Sequence, residues 1–343
     1  MSKILSSLIA TSALLSTLVG CGGPQMPPTA FRGQAPMMQM QAQRAGAPLR
    51  AMNGPARSPN QLRISSYNIR NLFDGIQNPG KEPEKAKPEK ELQALSLAMH
   101  EINADIIGLQ EIESKEVLTA FRDRFLGDMG YREVVLVDGN DQRGIDVALM
   151  SRYPVTAVKS HKDVRFEVPG QGVQGFSRDL LQVRVQGPNN YPLTVFVTHL
   201  KSQHGDAVAD VKRRAEAEAA HRIIKAFQQA NPRENVIVMG DFNDLYNTPE
   251  IAPVVSPQSG LGLTDIIHQE LGAADWVFTY HPQKYRSRID FLLLNENAKR
   301  EYMPKSVKLY KPFKEGDTWQ KLYFYDASDH IPVTIDLNVS QDR

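Results

Sequence analysis

The sequence predicts an α+β fold: two packed, mostly antiparallel sheets with helices outside, a four-layer α/β/β/α sandwich. Three observations carry this. Many short apolar runs, each about the length of a strand, are scattered along the chain. Only a few longer stretches have helical periodicity. Residues 61–343 contain no internal repeat, and a stretch of that length suits one large two-sheet domain.

The elements follow in order. Lys3 precedes an apolar stretch over residues 4–19 and then Gly20-Cys21-Gly22. A basic start, a short apolar run and small residues at a cut site describe a secretory signal peptide over residues 1–20, too short for a transmembrane helix. Residues 21–60 are rich in Pro, Gly, Gln, Ala and Met without helical or strand period, and read as a flexible tether. Their thioethers would suit copper rather than phosphate chemistry.

Residues 62–67 alternate as a strand. The charged, Pro-broken run at 81–91 reads as a solvated loop. Leu92, Leu95, Met99 and Ile102 then recur at helical spacing. Residues 105–109 form a buried strand, and 133–137, 145–150, 180–185 and 193–198 read as further strands. The longest helix is expected within 206–229, where Val211, Ala215, Ala219, Ile223 and Phe227 recur every four residues and Arg213, Arg214, Glu216 and Glu218 lie on other faces. Strands at 235–239, 289–294 and 331–337 complete the series.

The composition, 41% hydrophobic and 23% charged in 343 residues, is that of a soluble globular chain. A net charge of +1 excludes a gross electrostatic grip on polyanions and leaves room for local basic patches. Cys21 is the only cysteine, so no intramolecular disulfide forms and the fold rests on its core.

Six short motifs sit at the strand ends: Tyr67-Asn68-Ile69, Leu109-Gln110-Glu111, Thr198-His199-Leu200-Lys201-Ser202, Gly240-Asp241-Phe242-Asn243-Asp244, Arg288-Ile289-Asp290-Phe291 and Ser328-Asp329-His330. Asn68, Glu111, His199 and Asp241 end predicted strands, whereas Asp290 and Asp329-His330 begin them. In an antiparallel sandwich these positions can converge on one rim. They supply acids, amides and imidazoles but no thiol, the donors that suit a hard cation and phosphate-ester chemistry. Glu111 follows a nearly apolar strand, where a carboxylate is costly to dehydrate without a positive partner. His330 is suited to proton transfer near neutrality. There is no H-E-x-x-H, Cys/His cluster, G-x-S-x-G elbow or Walker loop, which argues against zinc, serine-nucleophile and P-loop chemistries.

The order and spelling of the six motifs resemble the endonuclease/exonuclease/phosphatase superfamily, with its DNase I-like fold. That resemblance implies a metal-dependent phosphodiester hydrolase using Mg²⁺, with Mn²⁺ or Ca²⁺ as alternatives. It implies Glu111, Asn68 and Asp329 near the metal, Asp241 and Asn243 on the scissile phosphate or the attacking water, and His199 as a phosphate ligand or a proton donor. It pairs His330 with Asp290 and makes Arg178 a supporting substrate contact. His330 and Asp241 are the two acid–base groups, with the base left open between them. Lys201, Asp146 and Arg288 also fit family-like spellings, and Asp244 is either a turn cap or part of the site. Separately, Leu18-Val19-Gly20-Cys21 resembles the lipobox of bacterial lipoproteins. It implies cleavage before Cys21, lipidation of Cys21 and a membrane-anchored protein of the bacterial cell envelope. Gly22 in place of Asp favours the outer membrane. The alternative is an ordinary signal peptide with an incidental Cys.

Superfamily members cut DNA, RNA, sphingolipids and inositol phosphates, so the fold does not choose a substrate. Residues 299–321 interleave Lys and Arg with aromatics, and Lys308 and Lys311 are the expected substrate contacts. A nucleic-acid backbone suits such a segment, as do a solvated loop and anionic lipid headgroups. The expectation is therefore an envelope nuclease, monomeric. The alternatives are a sphingomyelinase-like or inositol-phosphate hydrolase and, from another class, a non-catalytic binding module.

Overall fold

The structure, a computed structural model, describes residues 58–274, 277–281, 286–315 and 318–340. The expected signal peptide, Cys21 and most of the tether lie outside the described residues. In chain order the strands are β1 (Gln61–Leu72), β2 (Ile106–Ile112), β3 (Glu133–Leu136), β4 (Asp146–Ser151), β5 (Val155–Lys159), β6 (Phe166–Val168), β7 (Gly172–Gln174) and β8 (Leu180–Gln186). They continue as β9 (Pro192–His199), β10 (Asn235–Asp241), β11 (Leu263–Asp265), β12 (Asp290–Asn295), β13 (Lys308–Leu309), β14 (Phe313–Glu315), β15 (Thr318–Gln320) and β16 (Val333–Asn338). The helices are α1 (Glu89–Ile102), α2 (Lys115–Phe125), α3 (Asp206–Ala230), α4 (Ala252–Val255), α5 (Ile266–Leu271), α6 (Glu296–Arg300) and α7 (Tyr323–Ala327).

Two six-stranded sheets form, ordered β13-β16-β1-β2-β4-β3 and β11-β12-β10-β9-β8-β5. Each is antiparallel except for one central parallel pair, β1 with β2 and β9 with β10. A parallel pair needs a crossover, and helices α1 and α3 supply the two. The expected mostly antiparallel sandwich is thus met by two mixed sheets.

The side chains explain why so many strands read as unbroken apolar runs. Val195 and Val197 face a middle core shared by both sheets, whereas Phe196 between them faces α3. Likewise Val147 and Leu149 point to the middle core, and Ala148 and Met150 to the core under α1 and α2. Each central strand is buried on both faces, so polar alternation is lost. The resulting three cores separate four layers. Gly108 on β2 lets the sheets approach: a Cβ there would stand 2.8 Å from Met239 Cε of the opposing sheet.

Two expectations are corrected. Lys87, in the run read as solvated, is buried and donates from Nζ to the carbonyls of Ile69 (3.1 Å) and Arg70 (2.8 Å). On α3, Arg213 and Glu216, expected on faces other than the apolar stripe, are each only 1% exposed. Both carry partners that lie far away in sequence, so periodicity of apolar residues alone could not place them. The strands β5, β11 and β13 also escaped the pattern, because β5 is a largely exposed edge and the other two are two or three residues long.

Candidate active site

The two parallel pairs aim their C-terminal ends at one rim. Asp241 lies in register with His199 of β9 and with Asp290 of β12, so three of the predicted residues stand abreast. In the other sheet Asn68 pairs with Gln110, one residue before Glu111. Ser328 Oγ donates to the Asn68 carbonyl at 2.8 Å and accepts from the His330 amide at 3.0 Å, which ties the last motif to the first.

The rim is not regular strand. The registers of β1 with β2 and of β2 with β4 slip where Glu111 stands, and Arg70, Asn71 and Glu111 have φ of 52°, 52° and 68°. Bulges and left-handed non-glycine residues are costly and persist where the surroundings over-determine them. Here the Asn71 amide donates to Glu111 Oε2 at 3.0 Å, and the Lys87 ammonium holds the two preceding carbonyls. Asn243 is also left-handed, with φ 54°, and donates its amide N–H to Asp241 Oδ1 at 2.8 Å.

Asn68 Nδ2 bridges Glu111 Oε1 at 3.1 Å and Asp241 Oδ2 at 3.0 Å. The same Asp241 oxygen lies 3.4 Å from His199 Nε2 and 3.6 Å from His330 Nε2. His330 Nδ1 lies 2.9 Å from Asp290 Oδ2. Asp290 is placed by Thr279, whose Oγ1 accepts from the amides of Ile289 and Asp290 at 3.1 Å each. Tyr280 packs its ring 4.9 Å from that of His330.

Burial and charge set the protonation states. Burial opposes a charge on His330, but Asp290 and Asp241 beside it prevail and raise it to about 10. Asp241 is pushed up to about 7, by burial first, against the lowering effect of His330. His199 is held well below its ordinary value by burial and then by Arg178. At neutral pH the site therefore holds an imidazolium, a neutral imidazole and a carboxylate poised to take a proton.

A divalent cation has donors at two places. Asp241, Asp290 and His330 offer ligand atoms within 4.8 Å of one another. Nδ1 of His330 is already engaged by Asp290, so this group reads better as a proton relay than as a cage. At the rim, the half-buried carboxylates Glu111 and Asp329 are oxygen donors of the kind a hard cation takes, and Asn68 Nδ2 holds Glu111 in place. The residues present fit a hard cation there.

The remaining predicted residues divide. Arg178 is buried, with Nε 3.0 Å from Asp141 Oδ2 and Nη1 donating to the Leu200 carbonyl at 3.4 Å. Asn243 Nδ2 donates to that same carbonyl at 3.0 Å. Asp244 meets buried Arg213, with Oδ2 accepting from Nε at 2.8 Å, and so belongs to the support beneath the rim. Asp146 is fully buried and accepts from the Gly139 amide. Arg288 is held 2.9 Å from Asp265. Lys308 points to Glu101 at 3.8 Å, near the C-terminus of α1 and the opposite end of β2 from Glu111. Lys311 lies 4.6 Å from the centre of the Phe278 ring, with Arg286 at 4.7 Å from the same ring. Sequence reasoning missed Lys87, Thr279 and Arg143. Arg143 donates from Nη2 to Asn71 Oδ1 at 2.9 Å and so touches the residue that holds Glu111. The only signal for it was its place in the Arg143-Gly144-Ile145-Asp146-Val147 spelling.

Residues 63–259 match the Endonuclease/Exonuclease/phosphatase family. Among solved structures the chain is similar to a family protein from Bacteroides thetaiotaomicron, with 18% identity and a TM-score of 0.55 over 81% of this chain and 97% of that one. It is similar to the human nocturnin catalytic domain with bound sulfate anion, with 17% identity, TM-score 0.54, and coverage of 81% and 94%. It is also similar to D. rerio TDP2 complexed with single strand DNA product, with 20% identity, TM-score 0.51, and coverage of 81% and 99%. At such identities the likeness is one of fold. No curated protein sequence matches the chain significantly.

Proposed function

The chain belongs to the endonuclease/exonuclease/phosphatase family, and from that premise we propose that it is a metal-dependent phosphodiesterase that cleaves nucleic acid. The observation that carries the reading is the buried row Asp290–His330–Asp241, joined through Asn68 to Glu111. Asp241, raised to about 7, takes the proton of the attacking water. His330 is held as imidazolium by Asp290, so it does not serve as the base. It stands 3.6 Å from Asp241. Its part is to keep Asp241 ionised and to stabilise charge on the phosphoryl oxygens. Neutral His199 with Asn243 and Arg178 adds donors for those oxygens. Glu111, Asp329 and Asn68 would hold Mg²⁺, with Mn²⁺ or Ca²⁺ as alternatives, and the bound ion would neutralise charge developing on the phosphate.

Nucleic acid is favoured by the two cations that flank Phe278, next to Thr279, which holds Asp290. It also agrees with the DNA product bound to the D. rerio protein. Lys308 is withdrawn as a contact because it faces Glu101. We also infer a monomer anchored in the bacterial cell envelope, in the outer membrane, through lipidated Cys21.

The test is a panel of single- and double-stranded DNA, RNA, sphingomyelin and inositol phosphates, with Mg²⁺ and with EDTA. DNA or RNA cleavage that EDTA abolishes and Mg²⁺ restores is expected. Glu111→Gln should lose activity by about two orders of magnitude or more while its melting temperature holds. Hydrolysis of a phospholipid or inositol phosphate alone would replace the substrate. Full activity in EDTA would remove the metal, and binding without cleavage of any substrate would favour a binding module.

A further inference from the structure

The side chains proposed to meet the phosphate hang from two consecutive residues, Leu200 and Lys201. The Leu200 carbonyl accepts from Asn243 Nδ2 at 3.0 Å and from Arg178 Nη1 at 3.4 Å, and the Leu200 amide donates to the Asp241 carbonyl at 3.0 Å. The next residue is gripped at both ends by α3. Glu216 Oε2 accepts from the Lys201 amide at 2.7 Å, and Arg213 Nη1 donates to the Lys201 carbonyl at 3.2 Å. The same two side chains reach the two neighbouring loops. Glu216 Oε1 accepts from the Ser177 amide at 2.6 Å, just before Arg178. Arg213 meets Asp244 at 2.8 Å, just after Asn243.

Two ionised groups that are each 1% exposed are costly to bury, and hydrophobic side chains would stabilise α3 at less cost. What these groups supply is geometry. Arg213 is balanced by Asp244 and Asp210, and Glu216 by Lys212 at 3.6 Å, so the cluster is satisfied and rigid. We propose that Glu216 and Arg213 are positioning residues for the reaction: by clamping the Lys201 peptide between the Ser177 and Asp244 loops, they fix the Leu200 carbonyl at which Asn243 and Arg178 converge. This role rests on the phosphodiesterase reading of the site.

Glu216→Gln separates positioning from mere support. A glutamine keeps one acceptor, but its NH₂ opposes the second amide, so one of the Ser177 and Lys201 tethers is lost. The wild type, Glu216→Gln, Asn243→Ala and the double variant are assayed on bis(p-nitrophenyl) phosphate at 25 °C, with melting temperatures measured in parallel. In Glu216→Gln, kcat should fall about 10- to 100-fold with KM changed by less than about twofold, the mark of lost transition-state contacts. Adding it to Asn243→Ala should cost kcat much less than it costs the wild type, while the losses in melting temperature add. Arg213→Lys, which cannot span Lys201 and Asp244 together, should repeat the pattern and carries the test if Glu216→Gln does not fold. An active wild type with unchanged kcat in these variants, or kcat losses that multiply in the double variant, would overturn this inference alone. A wild type that hydrolyses no phosphodiester would overturn the function reading, and this role with it.

Discussion

His330 shows how far one buried side chain can depart from its solution chemistry. In the unfolded chain its imidazole titrates near 6.5, whereas in the fold Asp290 and Asp241 hold the proton to about 10. Between those values the folded state binds more protons than the unfolded one, so His330 stabilises the fold fully below about 6.5 and loses that contribution as pH rises through about 10. Asp241, raised from 3.8 to about 7 by burial, loses stability with rising pH in the lower window. The melting-temperature advantage of the wild type over His330→Gln, measured in EDTA, should therefore shrink between pH 7 and 10. An advantage constant across that range would show that His330 is not held as imidazolium. The residues of this row were legible in the sequence because each interrupts an apolar run at its end, where a polar group needs a reason. Arg213, Glu216 and Lys87 were not. A charged residue reads as solvated unless its partner is visible, and the partner of Arg213, Asp244, lies a whole strand further along the chain.

The strands and helices that aim these residues were mostly legible, for reasons that also mark where legibility ended. Central strands such as β9 and β10 are mostly apolar because both faces are buried, and their ends are marked by His199 and Asp241. Their pairing was hidden: nothing local distinguishes a parallel neighbour from an antiparallel one. Yet that parallel pairing brings His199 beside Asp241. Gly240 is the local condition for it. Its φ is 142°, and a Cβ there would stand 1.9 Å from the Thr198 carbonyl oxygen, a backbone atom that cannot move without parting β9 from β10. Gly240→Ala should destabilise the fold by about 3 kcal/mol, read as a lowered urea midpoint, and should abolish activity. Gly108→Ala is the contrast. Its Cβ would meet Met239 Cε at 2.8 Å, the far end of a flexible side chain, so a cost near 1 kcal/mol is expected. Equal midpoints for the two variants would mean that the Gly240 conformation is not needed to bring the strands together.

At the scale of the whole molecule, three cores in four layers carry the site on one rim, and the Val339 amide donates to the Asn60 carbonyl at 2.8 Å, tying the end of β16 to the start of β1. The layers were legible from length, strand number and the lack of repeats. Which sheet each strand joins was not, since β1 pairs with β16 across almost the whole domain. The Ser58 carbonyl accepts from the Gln61 amide at 2.9 Å, and predictions for the domain and for the chain ahead of it can be tested separately. A fragment beginning at Ser58, which keeps the Gln61 amide bonded to the Ser58 carbonyl, should melt at the temperature of the full chain and match its kcat. The full chain, expressed in a bacterium, should fractionate with the outer membrane and take up labelled fatty acid. Several acyl chains on one residue hold a protein at a membrane where a single chain does not, so Cys21→Ser should lose the label and the membrane association together while the catalytic domain stays intact. Membrane retention undiminished in Cys21→Ser, with normal cleavage, would place the anchor elsewhere. Loss of the label with unchanged activity on a soluble oligonucleotide would show that residue 21 decides where the enzyme works and the rim decides what it cuts.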